Sequence, residues 1–149
     1  MKVKEYLSEE RLYLLDGGMG VLLQKKGLPP GKPPEVMNLS DPKAVQEVYR
    51  SYIESGADLI ETNTFGGNRI TLERHNLASQ IEEINMTAVQ MAREVVSDHL
   101  IAGSIGPTGQ LLAPLGPLDP DQAEEAYTEQ CALLKEAGVD LINIETMTD

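Results

Sequence analysis

Two carboxylates, Asp16 and Glu145, are the residues of this 149-residue chain whose type and position point most directly to chemistry. Each directly follows an apolar run that is typical of a buried strand, Leu12–Leu15 for Asp16 and the run ending at Ile144 for Glu145. Parallel α/β folds collect their ligand-binding groups at the carboxyl ends of the strands. Two carboxylates in one pocket can hold an ammonium group or act as general acid and base. The alternative, equally open, is that Asp16 caps a turn and Glu145 faces solvent.

Polar or glycine residues also stand at the other predicted strand ends. Gly17 follows Asp16 and lets the backbone pass close to a ligand. Asn63, with Thr64, could donate hydrogen bonds to a ligand, or could form an Asx-type turn. The backbone N–H groups of Ser104 and Gly106 could bind a substrate carboxylate, although a turn explains these two residues slightly better.

The elements that must position these groups alternate along the chain as β-α-β-α-β-α-β. Asp41-Pro42 and Asp119-Pro120 each pair a capping side chain with a proline in the first helical turn, which predicts two helix starts. Ser79–Glu82 has the pattern of a capping box. The predicted strands are Leu12–Leu15, Asp58–Thr62, Leu100–Ile105 and the run ending at Ile144.

The chain repeats one helix-turn-strand unit. Ser55–Thr64 aligns without gaps on Ala137–Thr146, so that Asn63 takes the position of Glu145. Such repetition favours a βα architecture with a parallel sheet. The four strands could form a small open sheet or the first half of a (β/α)8 TIM barrel, and the convergence of polar residues at the strand ends favours the half-barrel. No Gly-x-Gly-x-x-Gly motif follows a strand, so a dinucleotide-binding fold has little support.

Composition excludes several function classes. The chain has 12 basic and 24 acidic residues, a formal net charge of −12, which argues against nucleic acids and anionic membranes as partners. No apolar run is long enough to span a bilayer, and the N-terminus lacks a secretory signal, so we expect a cytoplasmic protein. The single cysteine, Cys131, lies on the apolar stripe of a predicted helix, where packing is the expected role.

Five segments together resemble the homocysteine S-methyltransferase family. They occur in the family's order and are most similar to its homocysteine-binding modules of the cobalamin-dependent methionine synthase type. The resemblance extends over nearly the whole chain, 1–149, but corresponds to only the N-terminal half of the family's barrel domain. The segments are Leu14–Gly20, Met37–Pro42, Glu61–Asn68, Gly103–Gly109 and Ile144–Thr146.

The resemblance implies a TIM barrel that transfers a methyl group to the zinc-bound thiolate of homocysteine and forms methionine. Asp16 and Glu145, with the backbone at Gly17, would bind the homocysteine amino group, and Asn63 and Ser104 would complete the substrate site. The family's zinc ligands are three cysteines in the second half of its domain. None is present here, so no metal ligand and no catalytic residue are assigned within the chain. The methyl donor could be methylcobalamin, a methylsulfonium or betaine.

Three hypotheses follow. The first is a homocysteine-binding half-barrel that is inactive alone and requires its C-terminal half as a partner. The second is a non-catalytic half-barrel that associates with a second copy of itself, because a half-barrel exposes the edges of its first and last strands. The third is a different barrel chemistry in which Asp16 and Glu145 act as acid and base.

Overall fold

The computed structural model describes residues 3–6, 8, 10–96 and 98–148. Met1, Lys2 and Asp149 lie outside the described residues. Met1 and Lys2 belong to the N-terminal segment in which no secretory signal is predicted, and Asp149 is the last residue of the predicted domain. Within the described part of the chain, no helix is both long and apolar enough to cross a membrane.

The described residues form an α/β fold in which helices alternate with a parallel sheet. Short 3-10 turns at Pro34–Val36 and Ala78–Gln80 precede two of the helices. The strands are β1 (Leu59–Glu61), β2 (Leu100–Ile105) and β3 (Leu141–Ile144). The helices are α1 (Val3–Tyr6), α2 (Met19–Lys25), α3 (Met37–Ser40), α4 (Pro42–Glu54), α5 (Arg69–Glu73), α6 (Ile81–Val95) and α7 (Pro120–Ala137).

The sheet has the order β1-β2-β3, and both pairs of neighbouring strands are parallel. Glu61 is in register with Ala102, and Ser104 with Asn143. This order is that of consecutive βα units, and the α/β class with a parallel sheet is as predicted.

The prediction of a regular first strand at Leu12–Leu15 was wrong. This segment contributes a single parallel bridge, between Leu15 and Leu59. The hydrogen bonds from Leu59 N to Leu14 O (3.2 Å) and from Asp16 N to Leu59 O (3.2 Å) bracket that bridge. Leu12 is 89% exposed and Leu14 57% exposed. The segment therefore lies beside β1 at the edge of the sheet, without the burial on both faces that favours a longer ladder.

The repeated helix-turn-strand unit is present in the structure. Gly56 after α4 and Gly138 after α7 both adopt the left-handed conformation, with φ of 98° and 92°. This conformation ends each helix at little cost because glycine lacks a Cβ. In both copies a strand begins three residues after this glycine, as the sequence alignment predicts.

Both Asp-Pro sequences begin helices as predicted. The carboxylate of Asp41 accepts a hydrogen bond from Ala44 N (3.2 Å), and that of Asp119 accepts one from Asp121 N (2.8 Å). The predicted capping box at Ser79–Glu82 was wrong, because the 3-10 turn occupies this position and Gln80 caps α6 without a side-chain hydrogen bond.

Helices pack over the sheet and form its main apolar core. One cluster joins α2, α4 and α6 to the strands, with Leu23, Val48, Ile60 and Ile101 at its centre. A smaller cluster places Val89, Ile105 and Leu134 between α6, β2 and α7. Because side chains alternate across a strand, the neighbours of Ile60 and Ile142 point to the other face of the sheet. That face carries Glu61, Ser104 and Asn143.

The buried stripe of α7 includes Ala123 and Leu134. Tyr127 and Cys131 are only half-buried, although Cys131 was expected to pack in an apolar stripe. Gln130 is fully buried instead. Its Nε2 donates a 2.7 Å hydrogen bond to Thr64 O, which compensates for burying that end of the amide, whereas its buried Oε1 has no hydrogen-bond partner among the described residues.

Candidate functional site

All five predicted site residues line one open cavity at the carboxyl ends of the strands. The cavity has a volume of about 880 Å³, and its walls include Asp16, Gly17, Asn63, Ser104 and Glu145. This volume is within the range of small-molecule sites. The fold therefore brings these side chains together, whereas their role towards a substrate stays a prediction.

Asp16 is held by the backbone of the neighbouring strand. Its Oδ1 accepts a hydrogen bond from Glu61 N (3.0 Å). Burial raises the pKa of Asp16 to about 7, and the negative charges of Glu61 and Glu145 add to this rise against the opposing effect of the Glu61 N–H. At neutral pH the carboxyl group is therefore poised between its protonated and ionised forms.

Glu145 is oriented by β2. Its Oε1 accepts a 2.6 Å hydrogen bond from Ser104 Oγ, and its main-chain N–H donates to Ile105 O (3.0 Å). A hydrogen bond to a carboxylate restricts its orientation strongly, since charge-assisted bonds are the stronger class. The side chain of Ser104 therefore positions the carboxylate that was predicted to bind the substrate.

The backbone donors expected at the end of β2 are already engaged. Ser104 N donates to Thr62 Oγ1 (3.2 Å), and Gly106 N donates to Phe65 O (2.9 Å). Of the two alternatives considered for these N–H groups, binding of a substrate carboxylate therefore finds both donors already in use, and the slightly preferred structural explanation agrees with these contacts. The parallel neighbour and the turn after β1 supply their acceptors, and a single sequence does not reveal either partner.

Asn63 belongs to a buried polar network. Its Nδ2 donates to Pro34 O and Asn38 Oδ1, both at 2.8 Å, and its main-chain N–H donates to the hydroxyl of Tyr49 (2.8 Å). Asn63 is 3% exposed. Both hydrogens of the Asn63 side-chain amide are used in these bonds. The side chain therefore cannot also donate a hydrogen bond to a ligand, as the sequence had suggested, without breaking one of them. Thr64, fully buried, donates to Ser104 O (2.8 Å) and is also structural.

The glycine loop after Asp16 is fixed by α4. The hydroxyl of Tyr52 donates to Gly18 O (3.1 Å), and a Cβ at Gly17 would lie 3.1 Å from the same hydroxyl oxygen. Glycine at position 17 thus allows this tyrosine to approach the backbone closely. The exposed main chain of Gly17 stays at the cavity wall, beside Asp16.

Glu35, Glu61 and Phe65 are among the cavity residues that were not predicted from the sequence. Glu61 was detectable, because it lies two residues before Asn63 and side chains alternate along a strand. Glu35 had no such signal. It is 2% exposed, its Oε1 accepts from Gly66 N (2.5 Å), and burial raises the pKa of its carboxyl group. It holds the segment after α2 against the turn after β1.

The described residues do not fit a zinc ion. Among them, no three His, Cys, Asp or Glu side chains are arranged to hold a metal. Cys131 packs against the apolar cluster of Val89, Ile105 and Leu134, and burial raises the pKa of its thiol. It is not among the residues that line the cavity.

Taken together, the cavity presents carboxylates and exposed glycine backbone without a metal-binding set. Asp16, Glu61 and Glu145 give the wall a negative charge that suits a cationic group. An amino group of a small molecule is the ligand chemistry that this arrangement favours.

Comparison with solved structures supports the barrel relationship. The chain superposes on the metallated form of the homocysteine methyltransferase MmuM from Escherichia coli with a TM-score of 0.83, at 22% identity, covering 97% of this chain and 57% of that one. The oxidised form of MmuM gives a TM-score of 0.77, also at 22% identity, with 91% and 53% covered. The shared fold is thus that of a partial barrel.

Sequence comparison identifies the family. Methionine synthase of Mycobacterium leprae (strain TN) is 33% identical over 155 aligned residues, which span 94% of this chain and 13% of that protein. The chain therefore corresponds to a small part of that relative and to about half of the MmuM chain. The model of the homocysteine S-methyltransferase family matches residues 13–149. The chain belongs to the homocysteine S-methyltransferase family.

Proposed function

We propose that this chain forms the amino-acid-binding half of a site that methylates homocysteine to methionine. The observation that carries the proposal is that Asp16 and Glu145, from the first and last strand segments, line one cavity. The two carboxylates bind the ammonium group of L-homocysteine. The exposed backbone at Gly17 lies beside them, where it can contact the amino-acid end of the substrate.

In this proposal the chain binds and orients the nucleophile. Ser104 fixes the carboxylate of Glu145, and the N–H of Glu61 fixes that of Asp16, so the ammonium meets preset acceptors. In the reaction the thiol loses its proton, a sulfur–methyl bond forms and the bond between methyl and donor breaks. Activation of the sulfur is not assigned to this chain, because its described residues offer no zinc site. A C-terminal half-barrel, on the same polypeptide or a second one, would supply that function.

Calorimetric titration of the chain with L-homocysteine and with 4-mercaptobutyrate tests the substrate assignment. The second compound lacks only the amino group. We expect L-homocysteine to bind at least 10-fold more tightly, and Glu145→Gln to remove that preference, since each charge-assisted hydrogen bond is worth about 1.5–3 kcal/mol. The control Glu124→Gln changes the same charge on an exposed part of α7. Equal affinity for the two compounds would contradict the proposal.

Catalysis by the chain alone is a separate question. We expect no methionine when the chain is incubated with Zn²⁺, L-homocysteine and methylcobalamin, a methylsulfonium or betaine. Stoichiometric zinc binding together with methionine formation would show that the proposed division of the site is wrong. Turnover of another substrate without zinc, lost in Glu145→Gln, would instead favour the acid–base alternative.

A second candidate function, a self-associating half-barrel, is favoured by the edges of the sheet. Leu12 and Leu14 are 89% and 57% exposed at one edge, and Ile144 is 66% exposed at the other. Exposed apolar edge strands tend to pair with another chain. Sedimentation velocity distinguishes the candidates: a concentration-dependent dimer supports this one, and a stable monomer with cooperative unfolding contradicts it.

A further inference from the structure

Glu61 makes two contacts that join three strand segments. Its main-chain N–H donates to Asp16 Oδ1 (3.0 Å), in the segment before β1. Its side-chain Oε1 accepts a hydrogen bond from Asn143 Nδ2 of β3. One residue of β1 thus holds the Asp16 carboxylate with its backbone and is anchored across the sheet through its side chain.

The span from β1 to β3 is made possible by a small residue between them. Ala102 of β2 is in register with Glu61 on one side and with Leu141 on the other. Its methyl group leaves room for the Glu61 and Asn143 side chains to meet over the middle strand. The same two residues occupy equivalent positions in the internal repeat, because Ser55–Thr64 aligns on Ala137–Thr146. The contact therefore joins the two copies of the repeated unit.

Glu61 also brings a third negative charge to the cavity. Burial raises its pKa, Glu145 adds to the rise, and the hydrogen bond from Asn143 opposes it. Glu61 is in turn the largest like-charge contribution to the raised pKa of Asp16. A bound ammonium carries only one positive charge, so three ionised carboxylates exceed what the ligand can neutralise.

Other titratable groups surround this set. Tyr49 and Tyr52 of α4 have hydroxyl pKa values raised by burial and by the charge of Asp16. The further titratable residues that line the cavity are Lys32, Glu35 and His75. Among the groups that face the cavity, Asp16 has a pKa that is raised to about 7.

We infer that Glu61 is a positioning residue of the ammonium site: its main-chain N–H fixes the Asp16 carboxyl group, and its side-chain charge, together with burial and with Glu145, keeps a proton there that a bound ammonium displaces. The inference rests on the proposed function for the identity of the ligand. In the free protein at pH 7, Asp16 holds this proton in about half of the molecules. When the ligand ammonium binds, Asp16 becomes the carboxylate that accepts its hydrogen bond, and the proton leaves to solvent. Binding is therefore coupled to proton release.

The first test needs no ligand. The ¹³Cγ resonance of Asp16 is followed by NMR against pH in the wild type, in the isosteric variant Glu61→Gln and in the control Glu124→Gln. We expect a midpoint near 7 in the wild type and the control. In Glu61→Gln it should fall by about 1 pH unit, since removing a neighbouring like charge favours ionisation. An unchanged midpoint in a folded Glu61→Gln protein would overturn the inference.

A second variant covers the case in which Glu61→Gln does not fold. Asn143→Ala leaves Glu61 in place but removes the donor that favours its ionised form. Glu61 then takes up a proton at higher pH, the like charge facing Asp16 decreases, and the Asp16 midpoint falls again. A midpoint that stays at the wild-type value would contradict the inference here too.

The second test measures proton release on binding L-homocysteine at pH 7, by calorimetry in buffers of different ionisation enthalpy. A group half-protonated at this pH releases about 0.5 proton in the wild type, and about 0.1 proton in Glu61→Gln once its midpoint is about 1 unit lower. Equal release by both proteins would overturn the inference. If the wild type does not bind L-homocysteine, the proposed function fails, while the ligand-free titration still decides the role of Glu61.

Discussion

Asp58 and Asp140 perform the same structural task in the two copies of the repeated unit. Asp58 accepts a hydrogen bond from Leu14 N (2.9 Å), and Asp140 accepts one from Ile101 N (2.8 Å). In return, Asp58 N donates to Leu14 O, and Asp140 N donates to Ile101 O. Each carboxylate thus closes a reciprocal pair of hydrogen bonds with the preceding strand segment, immediately before its own strand begins.

An arginine completes each pair. Arg11 contacts Asp58 at 2.8 Å and Arg93 contacts Asp140 at 2.9 Å. The two arginines come from different parts of their units, so the sequence alignment does not relate them. The aspartate is the repeated element, and the cation is supplied by whichever segment packs beside it.

Replacement of these aspartates should have unequal effects. Asp140→Ala leaves the N–H of Ile101 without its acceptor in a fully buried residue, which we expect to lower the free energy of unfolding by about 1–3 kcal/mol. Asp58→Ala should lower it less, because Leu14 is 57% exposed and water can bond its N–H. Urea unfolding measures both, with the exposed Asp98→Ala as the control. Equal losses at positions 58 and 140 would contradict this explanation.

Ser104→Ala should weaken substrate binding without unfolding the protein. The variant removes the hydroxyl that donates to Glu145 Oε1 but keeps the backbone of β2. We expect the Kd for L-homocysteine to rise about 10-fold, which corresponds to the loss of one hydrogen bond to a charged group. Ser55→Ala, at an exposed hydroxyl after α4, is the matched control. A Kd unchanged by Ser104→Ala would show that Glu145 does not depend on this donor.

Asp16 should make stability depend on pH. Its pKa is raised to about 7 in the folded protein, so the folded state retains a proton that the unfolded state loses near pH 4. The unfavourable contribution of Asp16 therefore grows as pH rises from about 4 and is complete above about 7. We expect Asp16→Asn to raise Tm by a few degrees at pH 8 and to change it little at pH 4. A shift of Tm independent of pH would contradict this origin.

A methyl group should destabilise the protein at Gly67 and have little effect at Gly18. A Cβ at Gly67 would lie 2.7 Å from Asn85 Oδ1 and 2.9 Å from both Thr64 O and Gln130 Nε2. These atoms belong to a buried network, so we expect Gly67→Ala to lower the free energy of unfolding by about 1–3 kcal/mol. A Cβ at Gly18 meets nothing within 4 Å, and Gly18→Ala should change stability by less than about 0.5 kcal/mol. Chemical denaturation compares them, and similar values would contradict the packing argument.

The sequence by itself determined the repeating framework. Gly56 and Gly138 end α4 and α7 in the left-handed conformation, and Asp41 and Asp119 begin the same two helices. These features are local: a cap or a glycine acts on groups within a few residues, so its effect can be read from neighbouring letters. The α/β class followed from the order of such local units, and the family resemblance rested on five segments that occur in the family's order. The first strand did not, because Leu12–Leu15 lies at the sheet edge and its pairing depends on neighbours far along the chain.

Only the tertiary structure decided which polar groups are available at the cavity. A serine, asparagine or glutamate in a sequence shows what it can bond, but its actual partner is set by strand register and packing. Ser104 uses its hydroxyl for Glu145 and its N–H for Thr62. Glu61 meets Asn143 across the small Ala102. The carboxylates Asp16 and Glu145 were predictable as charges, whereas their orientation and the raised pKa of Asp16 arise from burial and from contacts between segments that are distant in the chain.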